Sequence, residues 1–386
     1  MIGTSAGCAR RAAAAALLLA GLLAAGAAQA QKAYITDTGF DLLRFGNTVV
    51  VVDTATGAVT GGPITVGRRP VGVAVAPDGR RAYVVNDYDS TVSVIDTRTD
   101  TVLNPPIAVG EQPWAVAVAP DGKRVYVTNV RSVSVIDALT NAVVGEPIPV
   151  GDSPFGIVVT PDSRRVYVTS FDTDQVFAID AARRTVIGEP IRVGRLPWGV
   201  AVTPDGKKVY VVNVGSGTVS VIATASNTVV KTITVGGQPI GVAVTPDGSK
   251  AYVSNSDDDS VSVIDTRTDT VRDPPIGVGN GPHGVAVTPD GRQVYVVNYF
   301  GESITVIDTA SDTVAGPAIA TGVGSLVVGP FIQPKLFAGT PGTTNCTNQS
   351  LSAEARRYGG NSAAAKALGY GTVAKMQTAI RGYCTS

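Results

Sequence analysis

The residues that could carry acid–base or metal chemistry are few in this sequence of 386 residues. It contains one histidine, His283, so a histidine-rich metal site is excluded and a Ser-His-Asp triad would have to use His283 as its base. The sequence has no glycine-rich phosphate loop, Cys-x-x-Cys pair or haem-attachment motif. We therefore expect no cofactor and no metal ion, and we interpret His283 as a residue that lines a binding surface.

Two cysteines, Cys346 and Cys384, enclose the C-terminal part of the chain. An even pair of cysteines in an exported chain favours a disulfide bond. Three short helices are predicted over residues 351–358, 362–368 and 373–383, with glycine stop signals after the first two. We expect residues 346–386 to form a small helical module and residues 335–345 to be a linker.

The first thirty residues have the three parts of a secretory signal peptide. Arg10 and Arg11 precede an apolar stretch over residues 12–25, and Ala28-Gln29-Ala30 is typical of a cleavage site. We expect cleavage after Ala30, no transmembrane segment in the mature chain, and a periplasmic or secreted protein. The balance of 31 basic against 31 acidic residues argues against nucleic acid as a partner.

A repeat of a little over forty residues must position any functional residues, because it runs through most of the chain. Each copy has a Pro-Asp-Gly or Pro-Asp-Ser turn, then a tyrosine, then in most copies a strand that ends in Ile-Asp. The first full copy predicts four short strands near residues 73–75, 82–85, 91–96 and 101–109. Four antiparallel strands per repeat are typical of a β-propeller blade. The repeat tyrosines are Tyr83, Tyr126, Tyr167, Tyr210, Tyr252 and Tyr295.

The two ends of the chain are predicted to build one blade together. Six full repeats follow a partial one, which has strands near residues 33–36, 49–53 and 64–66 but lacks an inner strand. Residues 325–328 offer the missing strand. We therefore predict an all-β, seven-bladed propeller of four-stranded antiparallel blades over residues 31–334, with no open edge.

The repeat resembles a known family. The string Tyr126-Val127-Thr128-Asn129, together with the recurring Val-Ser-Val-Ile-Asp and Pro-Asp-Gly segments, is similar to the YVTN β-propeller repeats of exported and surface-layer proteins of bacteria and archaea. The resemblance covers about residues 31–334. It implies the propeller fold, and it leaves the function open, because similar propellers include lactonases, amine-dehydrogenase subunits and exported binding proteins.

Positions that differ between the repeats are predicted to carry the function. The loop between the second and third strands varies in length, and the residue after the loop proline changes from valine to tryptophan, phenylalanine, isoleucine and histidine. Both loops lie at the same end of the blades, so we expect these residues to ring one mouth of the central channel. The candidate ligand-binding residues are Trp114, Phe155, Trp198, His283, Tyr88, Phe171, Tyr299, Phe300, Phe40 and Phe45.

Three functions are compatible with this pattern. The inner strands, such as Val116-Ala117-Val118, contain no Asp, Glu, Asn or His, which favours a monomeric, non-catalytic protein that binds a small molecule, a peptide or an envelope protein. The first alternative is a lactonase-like hydrolase or lyase that uses His283 and loop acids at the same mouth. The second is a structural component of the cell surface or envelope.

Overall fold

The computed structural model describes residues 31–39, 45–327, 329–334, 361, 372–374, 376–378 and 380. Within them the chain folds into seven antiparallel sheets, which are the blades of a propeller. Blade 1 contains β1 (Lys32–Asp37), β2 (Thr48–Asp53), β3 (Ala58–Val59) and β4 (Ile64–Thr65). Blade 2 contains β5 (Pro70–Val75), β6 (Arg81–Asn86), β7 (Thr91–Asp96) and β8 (Thr101–Ala108).

The remaining blades follow the order of blade 2, and in blades 3, 4 and 7 the outer strand is divided into two short strands that pair with the same neighbour. Blade 3 contains β9 (Val116–Val118), β10 (Arg124–Asn129), β11 (Ser132–Asp137), β12 (Ala142–Val143) and β13 (Ile148–Pro149), and blade 4 contains β14 (Pro154–Val159), β15 (Arg165–Ser170), β16 (Gln175–Asp180), β17 (Thr185–Val186) and β18 (Ile191–Arg192). Blade 5 contains β19 (Pro197–Val202), β20 (Lys208–Asn213), β21 (Thr218–Ala223) and β22 (Thr228–Thr234). Blade 6 contains β23 (Pro239–Val244), β24 (Lys250–Asn255), β25 (Ser260–Asp265) and β26 (Thr270–Gly277), and blade 7 contains β27 (Pro282–Val287), β28 (Gln293–Asn298), β29 (Ser303–Asp308), β30 (Thr313–Val314) and β31 (Ile319–Ala320). The predicted seven-bladed architecture is confirmed.

The Pro-Asp-Gly turn joins the first two strands of a blade. Gly79 has a φ of 70°, a conformation that glycine adopts without steric cost, and the Asp78 carboxylate accepts a hydrogen bond from the Arg80 N–H at 3.0 Å. In blade 4 the same place is taken by Ser163, with a φ of 60°. The turn therefore fixes the register of the inner strand, in which Ala74 faces Tyr83.

The repeat tyrosine and the base at the start of the same strand tie several blades to the next one. The Tyr252 hydroxyl donates to Asp312 at 2.6 Å, and Lys250 donates to the same carboxylate and to the Thr309 carbonyl at 2.7 Å. Tyr252 is fully buried, and burial raises its pKa above the ordinary value. The tyrosine therefore packs between blades, as the constant position in the repeat predicts.

The aspartate that ends the third strand organises the turn that follows it. The Asp308 carboxylate accepts hydrogen bonds from the N–H groups of Ala310 and Ser311 at 3.0 and 2.9 Å. Because these bonds favour the ionised form, the pKa of Asp308 is lowered. This confirms that the Ile-Asp signature is architectural.

The ring closes in blade 1, where both ends of the described propeller meet. Ile332 forms an antiparallel bridge with Ala33, and the Gln333 N–H donates to the Lys32 carbonyl at 2.7 Å. Phe331 is fully buried in the core that this pairing creates. The shared blade is confirmed, but the predicted strand at residues 325–328 is wrong, because the bridge lies further along the chain.

A two-residue insertion explains this shift. In blade 2 Val75, which pairs with Ala82, lies six positions after Arg69, whereas in blade 1 its counterpart Ile332 lies eight positions after Gly324. The excess forms a bulge around Gly329, whose φ is 108°. The sequence contains the extra residues but no signal that says where the strand resumes pairing.

Several expectations fall outside the described residues. These are the signal peptide over residues 1–30, Phe40, the linker over residues 335–345, and the cysteines Cys346 and Cys384. Residues 373–374, 376–378 and 380 are helical and lie within the third helix predicted for the C-terminal module. Among the residues that the structure describes, no helix is long and apolar enough to cross a membrane.

Candidate functional site

The residue after each loop proline enters the inner strand where neighbouring blades approach most closely. A Cβ atom on Gly199, the residue after Trp198, would lie 2.3 Å from the Ile240 carbonyl oxygen of the next blade. Gly156, the residue after Phe155, is in the same way covered by the Trp198 carbonyl oxygen at 2.2 Å. These glycines are required by close backbone contact, so the variable side chains beside them are held near the channel axis.

Hydroxyl groups of the preceding blade fix the backbone at several of these positions. The Thr169 hydroxyl donates to the Trp198 carbonyl at 2.8 Å, and the Ser254 hydroxyl donates to the His283 carbonyl at 2.7 Å. Thr128 contacts the Phe155 carbonyl at 3.2 Å in the same manner. The threonine or serine of the repeat thus positions the residue at the channel mouth.

Four rings from three consecutive blades form a cluster at this mouth, which we call the aromatic cluster: Trp114, Phe155, Phe171 and Trp198. The ring centroids of Phe155 and Trp198 are 4.4 Å apart, and those of Trp114 and Phe155 are 4.7 Å apart. Phe171 reaches Phe155 at 5.0 Å from the loop between the second and third strands. All four side chains remain partly exposed, so the cluster offers a continuous apolar surface.

Neither indole N–H group of the cluster has a hydrogen-bond partner among the residues that the structure describes. The Nε1 atoms of Trp114 and Trp198 are both buried, with no acceptor from those residues. Buried indole donors are usually paired, and leaving one unpaired costs about 1–3 kcal/mol. The cluster therefore offers two donors that the described part of the chain does not use.

A second group of rings lies in blade 7. His283 stacks on Tyr299 with a centroid separation of 5.2 Å, and Tyr299 contacts Phe300 at 4.9 Å. The Tyr299 hydroxyl donates to the Gly39 carbonyl at 3.1 Å, which connects this group to the long loop of blade 1. Burial lowers the pKa of His283 to about 4, so the imidazole is neutral at pH 7.

A third pair of rings joins blades 1 and 2. Phe45 contacts Tyr88 at 4.7 Å, and the Arg68 guanidinium lies 4.4 Å from the centre of the Tyr88 ring. The neighbouring Arg69 reaches the Trp114 ring at 5.8 Å and forms an ion pair with the buried Asp87 at 2.7 Å. The adjacent Arg68 and Arg69 thus contact the third pair and the aromatic cluster, respectively.

The predicted mouth residues do not form one continuous group of rings. Val71 is fully buried and Ile240 is 7% exposed, so these two positions offer little exposed surface between the groups. The structure brings together Trp114, Phe155, Phe171 and Trp198, and it places His283, Tyr299 and Phe300 in a separate group. Phe45 and Tyr88 lie in the third pair, while Phe40 is outside the described residues.

The loop acids on this face are used to hold the loops in place. The Asp89 carboxylate accepts the Arg68 N–H at 2.7 Å, and Asp174 accepts the Leu196 N–H at 2.8 Å. In blade 6 the Asp258 carboxylate accepts the Gly237 N–H at 2.6 Å. No group of three or more His, Cys, Asp or Glu side chains in the described part of the chain is arranged to hold a metal ion.

A cavity of about 330 Å³ lies in the channel below the mouth. Trp198 and His283 line its mouth end, and the inner strands of blades 3 to 7 form its walls. The bulge of the closing segment enters the channel from the remaining side, where the Pro330 carbonyl accepts the Val75 N–H at 3.1 Å. Gly329 passes so close to Val73 that a Cβ atom would lie 2.7 Å from its carbonyl oxygen.

Comparison with known proteins assigns the family. Residues 6–325 match the model of the YNCE-like β-propellers, which is most of the chain. The protein belongs to the YNCE-like β-propeller family. No curated protein matches the sequence significantly.

Solved structures share the propeller but differ in what they do. Hydrazine synthase of Kuenenia stuttgartiensis is 27% identical with a TM-score of 0.63, over 69% of this chain and 91% of that chain. A Bacteroides fragilis protein provisionally named a 6-phosphogluconolactonase is 20% identical with a TM-score of 0.64, over 78% and 98% of the two chains. A Desulfotomaculum acetoxidans protein of unknown function is 18% identical with a TM-score of 0.66, over 79% and 98%. The latter two likenesses show the fold alone.

Proposed function

We propose that this YNCE-like propeller is an exported, non-catalytic binding protein whose ligand contacts the aromatic cluster. The observation that carries the proposal is the cluster itself: four rings in contact stand at positions where the repeat varies, and they remain partly exposed. Because each ring is already partly buried, a ligand removes from water only part of the about 150–250 Å² of a whole aromatic side chain, which contributes about 0.5–2 kcal/mol per ring before association costs. Several rings must therefore act together to anchor a ligand.

The environment of His283 supports binding over hydrolysis. A general base works best with a pKa near the operating pH, whereas burial lowers the pKa of His283 to about 4. Its ring packs on Tyr299, and no carboxylate of the described residues hydrogen-bonds to it in the way that the aspartate of a triad would. Within the described part of the chain, a lactonase-like site that uses His283 thus has no carboxylate to orient the imidazole.

A double substitution, Trp114→Ala with Trp198→Ala, tests the role of the aromatic cluster. We expect the wild-type protein to bind at least one of the aromatic probes indole, 2-naphthol and 2-naphthoate in equilibrium dialysis. We expect the affinity of the double variant for that probe to be at least about tenfold lower, because most of the apolar contact area is lost.

The matched control is Leu139→Ala, which removes an 85% exposed apolar side chain from a turn in blade 3. The control variant should bind as the wild-type protein does. Undiminished binding by a folded double variant, with circular dichroism as the test of folding, would show that the aromatic cluster is not the ligand site.

Export is part of the same proposal, and it rests on the N-terminal sequence. Expression of the full chain in a bacterial host, followed by osmotic-shock fractionation, should release a protein that begins at Gln31. A cytoplasmic protein that retains its first thirty residues would contradict this part of the proposal and leave the binding site untouched.

A further inference from the structure

We propose that the channel cavity below the aromatic cluster holds the ligand, and that it accepts an uncharged, mainly apolar small molecule with one hydrogen-bonding group. This inference deepens the proposed function, which needs only contact with the rings at the mouth. It specifies where the body of the ligand lies and which molecules are rejected.

The walls of the cavity carry no charge. Its lining comes from the Val-Ala-Val inner strands, from glycines and from the closing segment, for example Val158, Ala201, Val242 and Ile332. None of the described residues that line the cavity has an ionised side chain at pH 7, because His283 is neutral there. Moving an isolated charge into such surroundings is strongly unfavourable, so the cavity selects against ions.

The apolar side chains of the cavity walls bind water poorly. A buried water molecule needs two to four polar partners, and apolar cavities stay dry or take up apolar guests. A cavity of about 330 Å³ lies in the range of small-molecule sites, which bury most of a ligand in apolar surroundings with a few polar groups. An apolar guest is therefore favoured over solvent along most of the channel.

The polar groups lie at the mouth end. Among the described side chains that line the cavity only His283 and Trp198 contain hydrogen-bonding atoms, and the indole N–H of Trp198 has no acceptor from the described residues. The neutral imidazole supplies one donor and one acceptor, and none of the described residues forms a hydrogen bond with it. A ligand whose apolar body fills the channel would place a hydroxyl or carbonyl group at this end.

Tryptophan emission offers a direct measurement, because the chain contains two tryptophans and both are in the aromatic cluster. We would titrate the wild-type protein with 2-naphthol, naphthalene and 2-naphthoate at pH 7. We expect 2-naphthol to bind most tightly, naphthalene more weakly for lack of a hydroxyl, and 2-naphthoate about tenfold more weakly than 2-naphthol because of its charge.

Ala201→Leu fills the cavity without touching the mouth, since Ala201 lines the channel wall. It should weaken the binding of 2-naphthol about tenfold by occupying its space. The exposed Ala182→Leu is the matched control and should bind normally. If the leucine variant does not fold, Ala201→Val provides a smaller filling change with a smaller expected loss.

The outcomes separate this inference from the proposed function. Equal binding of 2-naphthoate and 2-naphthol, or unchanged binding by folded Ala201→Leu, would overturn the channel site and leave a ligand on the aromatic cluster. A complete failure of the uncharged probes to bind would also overturn it. If the double tryptophan variant loses binding and Ala201→Leu binds normally, the ligand site is the aromatic cluster at the mouth and not the channel cavity.

Discussion

Three features distinguish His283 from the other residues of the site. It is the only histidine, it lines the channel, and it stacks on Tyr299 without a hydrogen bond from the described residues to its imidazole. Its pKa is lowered to about 4 by burial alone. An unfolded histidine has a pKa near 6.5, so the folded protein binds this proton less readily than the unfolded chain does.

The unfolding free energy should therefore fall as the pH decreases from about 6.5 towards 4. The sign follows from linkage. Above pH 6.5 the imidazole of His283 is neutral in both states, and between pH 6.5 and 4 it binds a proton in the unfolded state but not in the folded state. We expect a loss of about 2 kcal/mol between pH 7.5 and pH 5, measured by urea denaturation at both values.

The control for this measurement is His283→Gln, which cannot titrate. Because Asp87, whose pKa is raised by burial, is present in both proteins, its contribution cancels in the comparison. An equal loss of stability in the glutamine variant would mean that His283 is not the group responsible.

At the scale of the strand, five inner strands, those of blades 2, 4, 5, 6 and 7, are placed by a glycine next to the variable residue. Gly199 follows Trp198 in β19, and a Cβ atom on this glycine would lie 2.3 Å from the carbonyl oxygen of Ile240 in blade 6. The spacing of blades at the channel is thus set by backbone contact, and it determines the distances between the rings of the aromatic cluster. A change in this contact should affect both stability and the site.

Gly199→Ala should destabilise the propeller by about 1–3 kcal/mol, since blades 5 and 6 must move apart to admit the methyl group. The same substitution at Gly277 in β26 meets no atom within 4 Å and serves as the control. Thermal unfolding should give a lower midpoint for the first variant only. Similar midpoints for both would show that the close approach at Gly199 is not constraining.

At the scale of the whole molecule, stability depends on the joint between blades 7, 1 and 2. The Tyr295 hydroxyl of blade 7 donates to the Thr54 carbonyl of blade 1 at 2.9 Å. The Gln333 amide reaches the Gly79 carbonyl of blade 2 at 2.6 Å, and Phe331 fills the core beside them. The short closing segment therefore connects three blades.

A chain that ends at Pro334 should keep the propeller, whereas one that ends at Val327 should unfold at a much lower temperature. The shorter chain loses the Ile332 bridge and the buried Phe331, and loss of a buried phenylalanine side chain alone costs about 3–5 kcal/mol. Limited proteolysis and thermal unfolding of both truncations test this. Equal stability of the two truncated chains would show that residues 328–334 are not needed to close the ring.

Sequence periodicity accounts for most of the fold because each blade except blade 1 is a local unit. Its four strands are adjacent in the chain, and turns such as that at Gly79 fix their register by short-range geometry. The constant Tyr252 and Asp308 were recognisable as structural because the repeat provides its own internal comparison. The pairing of the closing segment escaped prediction because a bridge between Ala33 and Ile332 has no local signal.

The candidate site was predictable in its residues but not in its arrangement. Variation between repeats identified Trp114, Phe155, Trp198 and His283, and the repeat itself assigned them to one end of the blades. Which of them touch depends on rotamers and neighbours that lie forty residues apart in sequence, so only the tertiary structure separates the aromatic cluster from the group around His283.

The sequence by itself thus determined the architecture, the number of blades and the face on which they vary, since all three follow from short-range patterns repeated along the chain. Only the tertiary structure decided the shape and chemistry of the channel. The bulge at Gly329, the unpaired indole donors and the charge-free cavity arise where distant blades meet. Contacts of that kind depend on how the ring closes, and no single repeat contains that information.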